Sequence, residues 1–532
     1  MKRYTNIQPE IAELAFVGLG ISNTSTLMHL LSRLIETPPR EAISILLIER
    51  HEDHYTGVAY GPRSGSNSLL ISTLEDFIGE RERHKYIDWL KLNEGWLIEK
   101  FRIHGGELSE QWIDKFRKAN HKTLESELCV PRSFFGYYMR EQVNTLIDKA
   151  TALGLIKIRS FTAEVVDMAP TPGCYALELS DHYHSLLAKK VILGIGPPAC
   201  TDLQQRSVDD TQTISHVVND PYSDNIGLIF RDLAKQLVNH SVDEKINVFI
   251  IGSNASAIEA SYLLFDQERF ASIVNKVFIL SPSGVFPQRR LDKRNTPKFK
   301  STNLIALQYK PDLTADDIYQ AALEDHNACV DSNQGSSLSV VSFKKEIGEL
   351  LHKLSHSEKA KFAGTYGVSI GKLQRRAGDE YLDTVDRLTQ NNKLEHIKGR
   401  FVEITSSDDH CSTIEYVPEG ADEAIEFPHK LSLIINCLGS RSLRSPQNNL
   451  IDKLVSRGIC QINESGRGFV VDDDYSAARN LLVTGPLISG NVIQGNAVWH
   501  VEHCGRLSMI AEGLAESLRQ DLVEPLLDTV AA

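Results

Sequence analysis

The chain has 532 residues, several times the length of a typical domain, so we expect more than one domain. Hydrophobic residues make up 42% and charged residues 24%, a balance that is typical of a folded globular protein and excludes a disordered or fibrous one. The net charge is −13 and no basic tract stands out, so the composition argues against a nucleic-acid partner.

The cysteines and the N-terminal residues indicate in which cellular compartment the protein is expected. The eight cysteines are scattered, and no two of them form a Cys-x-x-Cys pair. This spacing excludes a zinc ribbon and a thioredoxin-type redox pair, and it indicates a reducing compartment. The N-terminal residues show no signal-peptide pattern, and no apolar run approaches the roughly 18–20 residues that a bilayer requires. We therefore expect a cytoplasmic protein without a membrane partner.

A strand, a glycine turn, a helix and a second strand follow one another near the N-terminus. The first strand ends at Gly18, Gly20 follows, and apolar residues then recur at helical spacing as far as Leu34. The next apolar run, 43–49, closes on an acid, Glu49, about 30 residues after Gly18, as a βαβ nucleotide-binding unit requires.

The first turn suits a pyrophosphate because it aims free N–H groups and the positive end of a helix dipole at one point. Gly18 makes the tight turn, Gly20 lets a phosphate approach the backbone, and Asn23 stands where a third glycine is usual. Glu49 is placed to accept hydrogen bonds from a ribose diol. The alternative is a tight turn in an ordinary α/β domain. The strands on both sides and the acid favour nucleotide binding.

A second unit of the same kind begins at residue 246. A β-branched strand runs into the turn 252–257, a helix follows, and the next strand is 276–281. The turn keeps only its first glycine, Gly252, but its small residues still allow close approach, and Ser256 can donate a hydroxyl. No acid follows the second strand.

Donors take the place of that acid: Ser281, Ser283, Arg289, Arg290 and Lys293. A 2′-phosphate needs such donors, so the sequence favours NADPH over NADH. A solvated basic loop is the alternative reading of the arginines and the lysine.

Further motifs follow in order along the chain. They are Thr56–Gly61, Leu69–Ser72, Pro131–Tyr138, Asn219–Tyr222, Gly252–Glu259, Ser281–Pro287, Ile435–Gly439 and Thr484–Pro486. Together they resemble the FAD–NAD(P)-binding family of two-dinucleotide flavoproteins, which includes bacterial amino-acid N-monooxygenases of the nitrosuccinate-forming aspartate type. The chain departs from the family pattern at Asn23, Ser72, Asn254 and Leu438.

The resemblance implies an α/β fold with two Rossmann-like dinucleotide-binding domains and a helical insertion. The FAD domain is expected at 10–240 and 441–525, and the NAD(P)H domain at 241–440 with the insertion at about 295–390. FAD and NADPH are the implied cofactors, and no metal is expected. The expected cofactor-binding residues are Gly18, Gly20, Ser22, Asn23, Glu49, Arg50, Gly57, Tyr60, Ser72, Gly252, Asn254, Ser256, Ala257, Ser281 and Gly485.

The resemblance also implies an activity. Hydride would pass from NADPH to FAD, and a peroxyflavin formed with dioxygen would N-hydroxylate a small amine or amino acid. A bidentate arginine suits a substrate carboxylate, and the candidates are Arg132, Arg289 and Arg290. A surface or cofactor-phosphate salt bridge is the alternative for each of them.

Other functions stay open. An FAD-dependent NAD(P)H oxidoreductase or oxidase would transfer no oxygen atom, and a non-catalytic nucleotide-binding regulatory protein would fit the altered turns at Asn23 and Asn254. The string Gly367–Gly371 matches a hydrolase nucleophile elbow, but the charged helix end predicted before it disfavours hydrolysis. A homo-oligomer is compatible with the sequence, which does not specify one.

Overall fold

The computed structural model describes residues 10–180, 185–203, 216–240, 245–290, 299–332, 339–406, 411–447 and 449–523. Its strands are β1 (Ile11–Val17), β2 (Ile43–Glu49), β3 (Ile156–Thr162), β4 (Val165–Thr171), β5 (Cys174–Leu179), β6 (Ser185–Leu193), β7 (His216–Val218), β8 (Ile246–Ile251), β9 (Val274–Ser281), β10 (Gln288–Arg289), β11 (Arg376–Ala377), β12 (Leu394–Ser406), β13 (Ser412–Pro418), β14 (Ile425–Glu426), β15 (Leu433–Asn436), β16 (Ser476–Ala478), β17 (Leu481–Val483), β18 (Asn491–Ile493) and β19 (Asn496–Val498).

The α-helices alternate with these strands. They are α1 (Ile21–Glu36), α2 (Gly57–Tyr60), α3 (Leu74–Phe77), α4 (Glu80–Leu92), α5 (Glu94–Arg102), α6 (Glu107–Lys118), α7 (His121–Ser126), α8 (Arg132–Ala152), α9 (Ile226–His240), α10 (Ala255–Phe265), α11 (Glu268–Ile273), α12 (Thr302–Ala306), α13 (Ala315–Asp331), α14 (Ser339–Lys353), α15 (His356–Lys361), α16 (Gly367–Leu373), α17 (Asp379–Gln390), α18 (Leu450–Ser456) and α19 (Cys504–Val523). Within the described ranges, no helix is both long and apolar enough to cross a membrane.

The first sheet is built around parallel strands that are buried on both faces. Its order is β16-β17-β6-β1-β2-β3, and β5 joins β6 to β4. Strand β1 lies between β2 and β6, with Phe16 opposite Leu47 on one side and Ile192 on the other. All three residues are buried. Strands of a parallel sheet that is covered by helices on both faces have continuous apolar sequences, as these strands do.

Helices α1 and α19 pack together on the first sheet. Near the end of α1, Arg33 forms ion pairs with Glu512 and Glu516 from the middle of α19. At the other end, the loop that contacts the start of α1 bonds to the first residue of α19, Cys504. The two helices therefore start at the same edge of the sheet.

The second sheet has the order β14-β13-β12-β9-β8-β15-β7. Strands β7, β8, β9, β15 and the first part of β12 are parallel to one another. Strand β7 lies inside the range 10–240 expected for the first domain, so that boundary is corrected: the second domain already contributes a strand at His216. The apolar run around β7 is too short to be recognised as a strand from the sequence alone.

The predicted helical insertion has a small core of its own. Helices α12–α16 bury a cluster that includes Leu304, Ile318, Phe343 and Leu350. Trp499, from the C-terminal part of the chain, packs against this cluster. The insertion is thus attached to the first domain as well as to the second, from which it emerges.

One expectation for the C-terminal segment is wrong. The sequence predicts a helix from about 497 to 518, whereas β18 and β19 form a hairpin and α19 begins at Cys504. Gln494 and Gly495 both have positive φ, 49° and 74°, as a two-residue hairpin turn requires. This turn ends the strand pair and delays the helix.

A buried carboxylate fixes the two domains against each other. Asp266, at the end of α10, accepts hydrogen bonds from the amides of Gly106 (2.9 Å) and Ser109 (3.0 Å), from the Ser109 hydroxyl (2.7 Å) and from Asn67 Nδ2 (3.1 Å). A Cβ on Gly106 would lie 1.7 Å from the Asp266 carbonyl oxygen. Asp266 therefore caps the N-terminus of α6 in the other domain, where a negative charge is favoured.

We predict that Asp266→Ala lowers the free energy of unfolding by about 3 kcal/mol, because four buried donors would lose their acceptor. Urea titration followed by circular dichroism measures the change. The control is Asp88→Ala, since Asp88 lies exposed on α4. Its effect should stay within about 0.5 kcal/mol. Equal unfolding midpoints for both variants would show that the buried carboxylate is not what holds the domains together.

Candidate functional site

The first glycine turn forms a cradle at the N-terminus of α1. Gly18 has φ +79°, and a Cβ there would lie 2.6 Å from the Gly194 carbonyl oxygen. A Cβ on Gly57 would lie 2.9 Å from Cα of Gly20, and one on Gly485 would lie 2.8 Å from Ser22 Oγ. Three separate segments therefore converge on the first residues of α1, each through a glycine.

The N-cap residue of α1 is Gly20, which has no side chain that could accept from the first amides of the helix. No side chain caps the helix, and its first turn contains no acidic residue. The first N–H groups of a helix have no partner within the helix, and the dipole adds a partial positive charge. An uncapped start surrounded by glycines fits the pyrophosphate of a dinucleotide, since its oxygens can reach these donors.

Glu49 and Asn23 differ in how they relate to this cradle. Glu49 ends β2 beside the turn, and its carboxylate accepts hydrogen bonds from the amides of Leu19 (2.7 Å) and His51 (3.2 Å). These bonds orient it and leave acceptor capacity for a ribose. Asn23 is fully buried, and its Nδ2 donates to Gly18 O (2.7 Å), Val17 O (3.2 Å) and Ile192 O (3.3 Å).

The Asn23 side chain therefore points into the sheet instead of the cradle. It ties α1 to β1 and β6, which is a packing role like that of the glycine it replaces. Direct contact of this side chain with a cofactor, as the sequence predicts, is not supported by its orientation.

The loop that follows β2 covers the cradle with an aromatic cluster. Tyr60 is buried against Phe77 and Phe135, and its hydroxyl contacts Cys504 Sγ at 3.0 Å. Burial, together with the neighbouring thiol, raises the pKa of Tyr60 well above 10. Tyr60 thus forms the wall behind the cradle, whereas Ser72 lies half-buried before α3 and Arg50 lies exposed after β2.

The second turn forms a comparable cradle at the start of α10. Gly252 has φ +110°, and a Cβ there would lie 2.3 Å from the Cys437 carbonyl oxygen. Helix α10 also begins without a side-chain cap and without an acid in its first turn. Ala257 is fully buried and Ser256 half-buried, so the helix start is lined by small side chains. Arg375 Nη1 donates to Asn254 Oδ1 at the mouth of this turn.

The donors expected at the end of β9 are arranged differently from the prediction. Ser281 Oγ bonds to His396 Nε2 (2.8 Å) and accepts from the Gly284 amide (3.1 Å). The stem of Lys398 passes so close to Gly284 that a Cβ there would lie 2.6 Å from Lys398 Cε. Within the described residues, Lys398 is therefore a cation beside Ser281. Lys293 lies outside the described residues. Sequence reasoning missed Lys398 because β12 is distant along the chain.

The three predicted substrate-carboxylate arginines already have carboxylate partners. Arg289 pairs with Asp379 (2.7 Å), Asp383 (2.8 Å) and Asp386 (2.7 Å), all on α17. Arg290 pairs with Asp76 (3.0 Å). Their positive charges are balanced within the protein, so the geometry does not favour their predicted roles in binding a substrate or a 2′-phosphate.

Arg132 is the most deeply engaged of the three. Its Nη2 lies 3.0 Å from Glu259 Oε2, which also accepts from the Tyr222 hydroxyl (2.7 Å), and its Nε donates to Leu69 O (3.1 Å). Although burial opposes its charge, the Glu259 carboxylate raises the pKa of Arg132. Since Glu259 is fully buried on α10, this ion pair joins the two domains between the cradles.

Other arginines line the space between the cradles, the insertion and the C-terminal segment. Arg506 lies over the Trp499 ring at 4.5 Å and donates to His500 O (2.9 Å), while Arg467 Nη2 donates to Ala363 O (3.2 Å). Glu502 is within electrostatic range of Arg375, Arg467 and Tyr60. Arg375 also contacts the second cradle, at Asn254. No local pattern in the sequence signals this set, because Arg375, Arg467 and Arg506 lie in separate parts of the chain.

Residues 15–198 match the family model described as FAD-NAD(P)-binding. The chain is 28% identical over 524 residues to uncharacterized proteins of Mycobacterium tuberculosis and Mycobacterium bovis, covering 97% of this chain and 97% of each relative. The family match agrees with the class of cofactor predicted for the first unit.

Solved structures share the whole architecture. The FAD-bound cadaverine monooxygenase of Erwinia amylovora has a TM-score of 0.55 at 11% identity, over 98% of this chain and 97% of that one. The ornithine N-hydroxylase of Kutzneria sp. 744, solved with reduced FAD, NADP⁺ and L-ornithine, has a TM-score of 0.55 at 12% identity, over 96% and 99%. L-lysine 6-monooxygenase of Pseudomonas syringae has a TM-score of 0.52 at 11% identity, over 96% and 99%. The predicted fold, with two dinucleotide-binding domains, is confirmed.

We predict that a substitution of Gly18 lowers stability, whereas a substitution of Gly20 lowers cofactor binding without preventing folding. Gly18→Ala should cost more than about 1 kcal/mol of stability, because it forces a side chain into a positive-φ position against Gly194 O. Gly20 has φ −73°, and a Cβ there meets its nearest neighbour at 3.7 Å, so Gly20→Asp should fold. An aspartate at this position would cap α1 and place a negative charge where the pyrophosphate binds.

The flavin content of the purified variants measures this second effect. We expect Gly20→Asp to lose FAD affinity by at least about tenfold, and Gly20→Ala, which adds only a methyl group and no charge, to lose clearly less. Wild-type flavin content in Gly20→Asp would contradict the assignment of the pyrophosphate to this turn.

We predict that His396 makes stability depend on pH. Burial, and secondarily the charge of Lys398, lowers the pKa of His396 from 6.5 to about 4. Between these values the unfolded state binds more protons than the folded state, so stability falls as the pH falls from 6.5 towards 4. Above pH 6.5 the contribution is fully present.

His396→Gln should remove this dependence. Because solvent screening at this half-buried ring reduces the effect of the full shift, wild type should lose on the order of 1–2 kcal/mol more than the variant across the window. Urea unfolding at a series of pH values measures it. His121→Gln, at an exposed position, is the control and should follow wild type. Parallel curves for wild type and His396→Gln would show that His396 titrates normally in the folded protein.

Proposed function

We propose that the protein is an FAD- and NADPH-dependent monooxygenase that N-hydroxylates a small amine or amino acid. The observation that carries this proposal is the pair of helix starts without a side-chain cap, α1 and α10, each preceded by a parallel strand and a glycine turn, in domains joined by the buried Arg132–Glu259 ion pair. The similarity in fold to the cadaverine, ornithine and lysine N-hydroxylating enzymes supports it. Aspartate as the substrate stays a prediction.

The residues of the first cradle fit FAD. Gly18 and Gly20 leave room for the pyrophosphate at the start of α1, Ser22 and Gly485 border it, and Glu49 offers a carboxylate to the ribose. The cluster around Tyr60 forms an apolar wall next to this space. Bound FAD supplies the redox chemistry, taking hydride from NADPH and activating dioxygen.

The second cradle fits the phosphates of NADPH. Helix α10 begins without a side-chain cap, so its first N–H groups can donate to phosphate oxygens. Ser281 and Lys398 are placed at the end of β9, where the 2′-phosphate of the adenosine ribose is bound in this kind of fold. Lys398 lies opposite Ser281 on β12, and its ammonium pairs with the exposed Glu419 (3.2 Å), so its charge, like those of Arg289 and Arg290, has a carboxylate partner.

His500 gives the site a group that can accept a proton. An amine must lose its proton before it can act as a nucleophile. Burial lowers the pKa of His500, and the nearby Arg506 and Arg375 charges act in the same direction, although Glu502 opposes them. The lowered pKa favours the neutral imidazole, which we propose as the acceptor of the proton that a substrate ammonium group releases; Glu502 lies 3.8 Å from its Nδ1.

We expect the purified protein to be yellow and to consume NADPH and dioxygen in a 1:1 ratio with a hydroxylated amine when its substrate is present. Oxygen-electrode and NADPH assays across a panel of amines and amino acids, with product analysis by mass spectrometry, test this. Gly20→Asp, depleted of flavin, is the matched negative control. Hydrogen peroxide as the sole oxygen product with every amine would support an oxidase instead. A protein that stays colourless with added FAD would contradict a flavoenzyme of either kind.

A further inference from the structure

The arginines of this protein fall into two groups with opposite electrostatic environments. Arg132, Arg289 and Arg290 face carboxylates at 2.7–3.0 Å. Arg375, Arg467 and Arg506, called here the arginine cluster, form no ion pair with any carboxylate among the described residues; their side-chain partners are an amide oxygen, two backbone carbonyls and the Trp499 ring.

The members of the arginine cluster are half-buried, so they retain some solvent contact while protein surrounds them. Burial lowers the pKa of all three, and the carboxylate of Glu502 only partly compensates for this in Arg375 and Arg467. Leaving a desolvated guanidinium without a counter-charge costs free energy. On a chain with a net charge of −13, three such groups bordering the segment 499–506 indicate a site that is completed by an anion.

The cluster stands where the insertion meets the first domain. Arg467 is held by the carbonyl of Ala363, in the turn between α15 and α16. Trp499, beneath Arg506, packs edge-on against Phe362 at 5.3 Å, and a Cβ on Gly367 would lie 2.2 Å from its ring. The insertion therefore fixes the cation positions, as a substrate-selecting element would.

We propose that the arginine cluster binds the oxoanion groups of a doubly negative substrate, either two carboxylates or one phosphate monoester. Three guanidinium groups against one carboxylate leave two uncompensated positive charges, which a substrate of charge −2 balances. Guanidinium groups bind carboxylate and phosphate oxygens through paired N–H donors, which suits both chemistries. The identification of the ligand as the substrate rests on the proposed function, whereas the anion site itself does not.

Anion binding is tested first without turnover. Thermal unfolding of the full chain is measured in succinate, in inorganic phosphate and in chloride at matched ionic strength. We expect succinate or phosphate to raise Tm by about 2 °C or more over chloride, because a ligand that binds only the folded state stabilises it. Arg467→Gln and Arg506→Gln should abolish the gain, and Arg117→Gln, at an exposed position on α6, should keep it. The anion that gives the gain separates the dicarboxylate from the phosphate source.

A second arm separates the substrate from the dinucleotide. The same Tm series is repeated with saturating NADP⁺, and we expect the anion gain to persist. In turnover assays, Arg467→Gln should raise KM for a doubly negative amine by at least about tenfold and leave KM for NADPH unchanged. Loss of the anion gain with NADP⁺, or a rise in KM for NADPH alone, would assign the cluster to the dinucleotide phosphates and overturn the proposal.

The outcomes also separate this proposal from the proposed function. A colourless protein that still shows the arginine-dependent Tm gain would support the proposed anion site and contradict the proposed monooxygenase activity. A yellow, NADPH-consuming protein with no Tm gain, and with equal KM values in wild type and Arg467→Gln, would support the proposed enzyme activity and contradict the proposed anion site.

Discussion

The structure depends on a few buried carboxylates that hold two dinucleotide-binding units in one fixed relation. Asp266 reaches from the end of α10 to cap α6, and Glu259, earlier on the same helix, pairs with Arg132 at the start of α8. Both carboxylates are buried and both cross between the domains. Removing one partner of such a contact leaves a buried charge or several unpaired donors, so the two domains are held by interactions that are costly to break.

Because the two domains are held in this fixed relation, the two cradles can be interpreted together. A single uncapped helix start after a glycine turn would indicate one bound phosphate group. Two of them, in domains joined by the Arg132–Glu259 ion pair, suit a protein that binds two dinucleotides. The charge pattern agrees with this arrangement, because the arginines that serve architecture are paired with acids and those facing the shared space are not.

The sequence predicted the parts of the fold that rest on local patterns. The bounds of β1, α1 and β2 follow from one apolar run, one pair of glycines and a second run that ends on Glu49. The hairpin before α19 was missed because Gln494-Gly495 is an uncommon pair for a two-residue turn.

The same contrast holds for the candidate site. Phosphate cradles are encoded by short motifs, so Gly18 and Gly252 were found. Pairing between distant charges is not encoded locally: nothing near Arg289 in the sequence shows that three aspartates of α17 will face it, and nothing near Arg467 shows that none will. Lys398 was overlooked for the same reason, since β12 joins β9 only in the folded sheet.

The central claim is that the two cradles present their ligands to each other. Anaerobic mixing of the FAD-loaded protein with NADPH in a stopped-flow spectrophotometer tests it most directly. The account predicts that the yellow absorbance of the flavin disappears in a single first-order phase whose rate saturates with NADPH. A flavin that stays oxidised while NADPH is bound, as monitored by NADPH fluorescence, would contradict it.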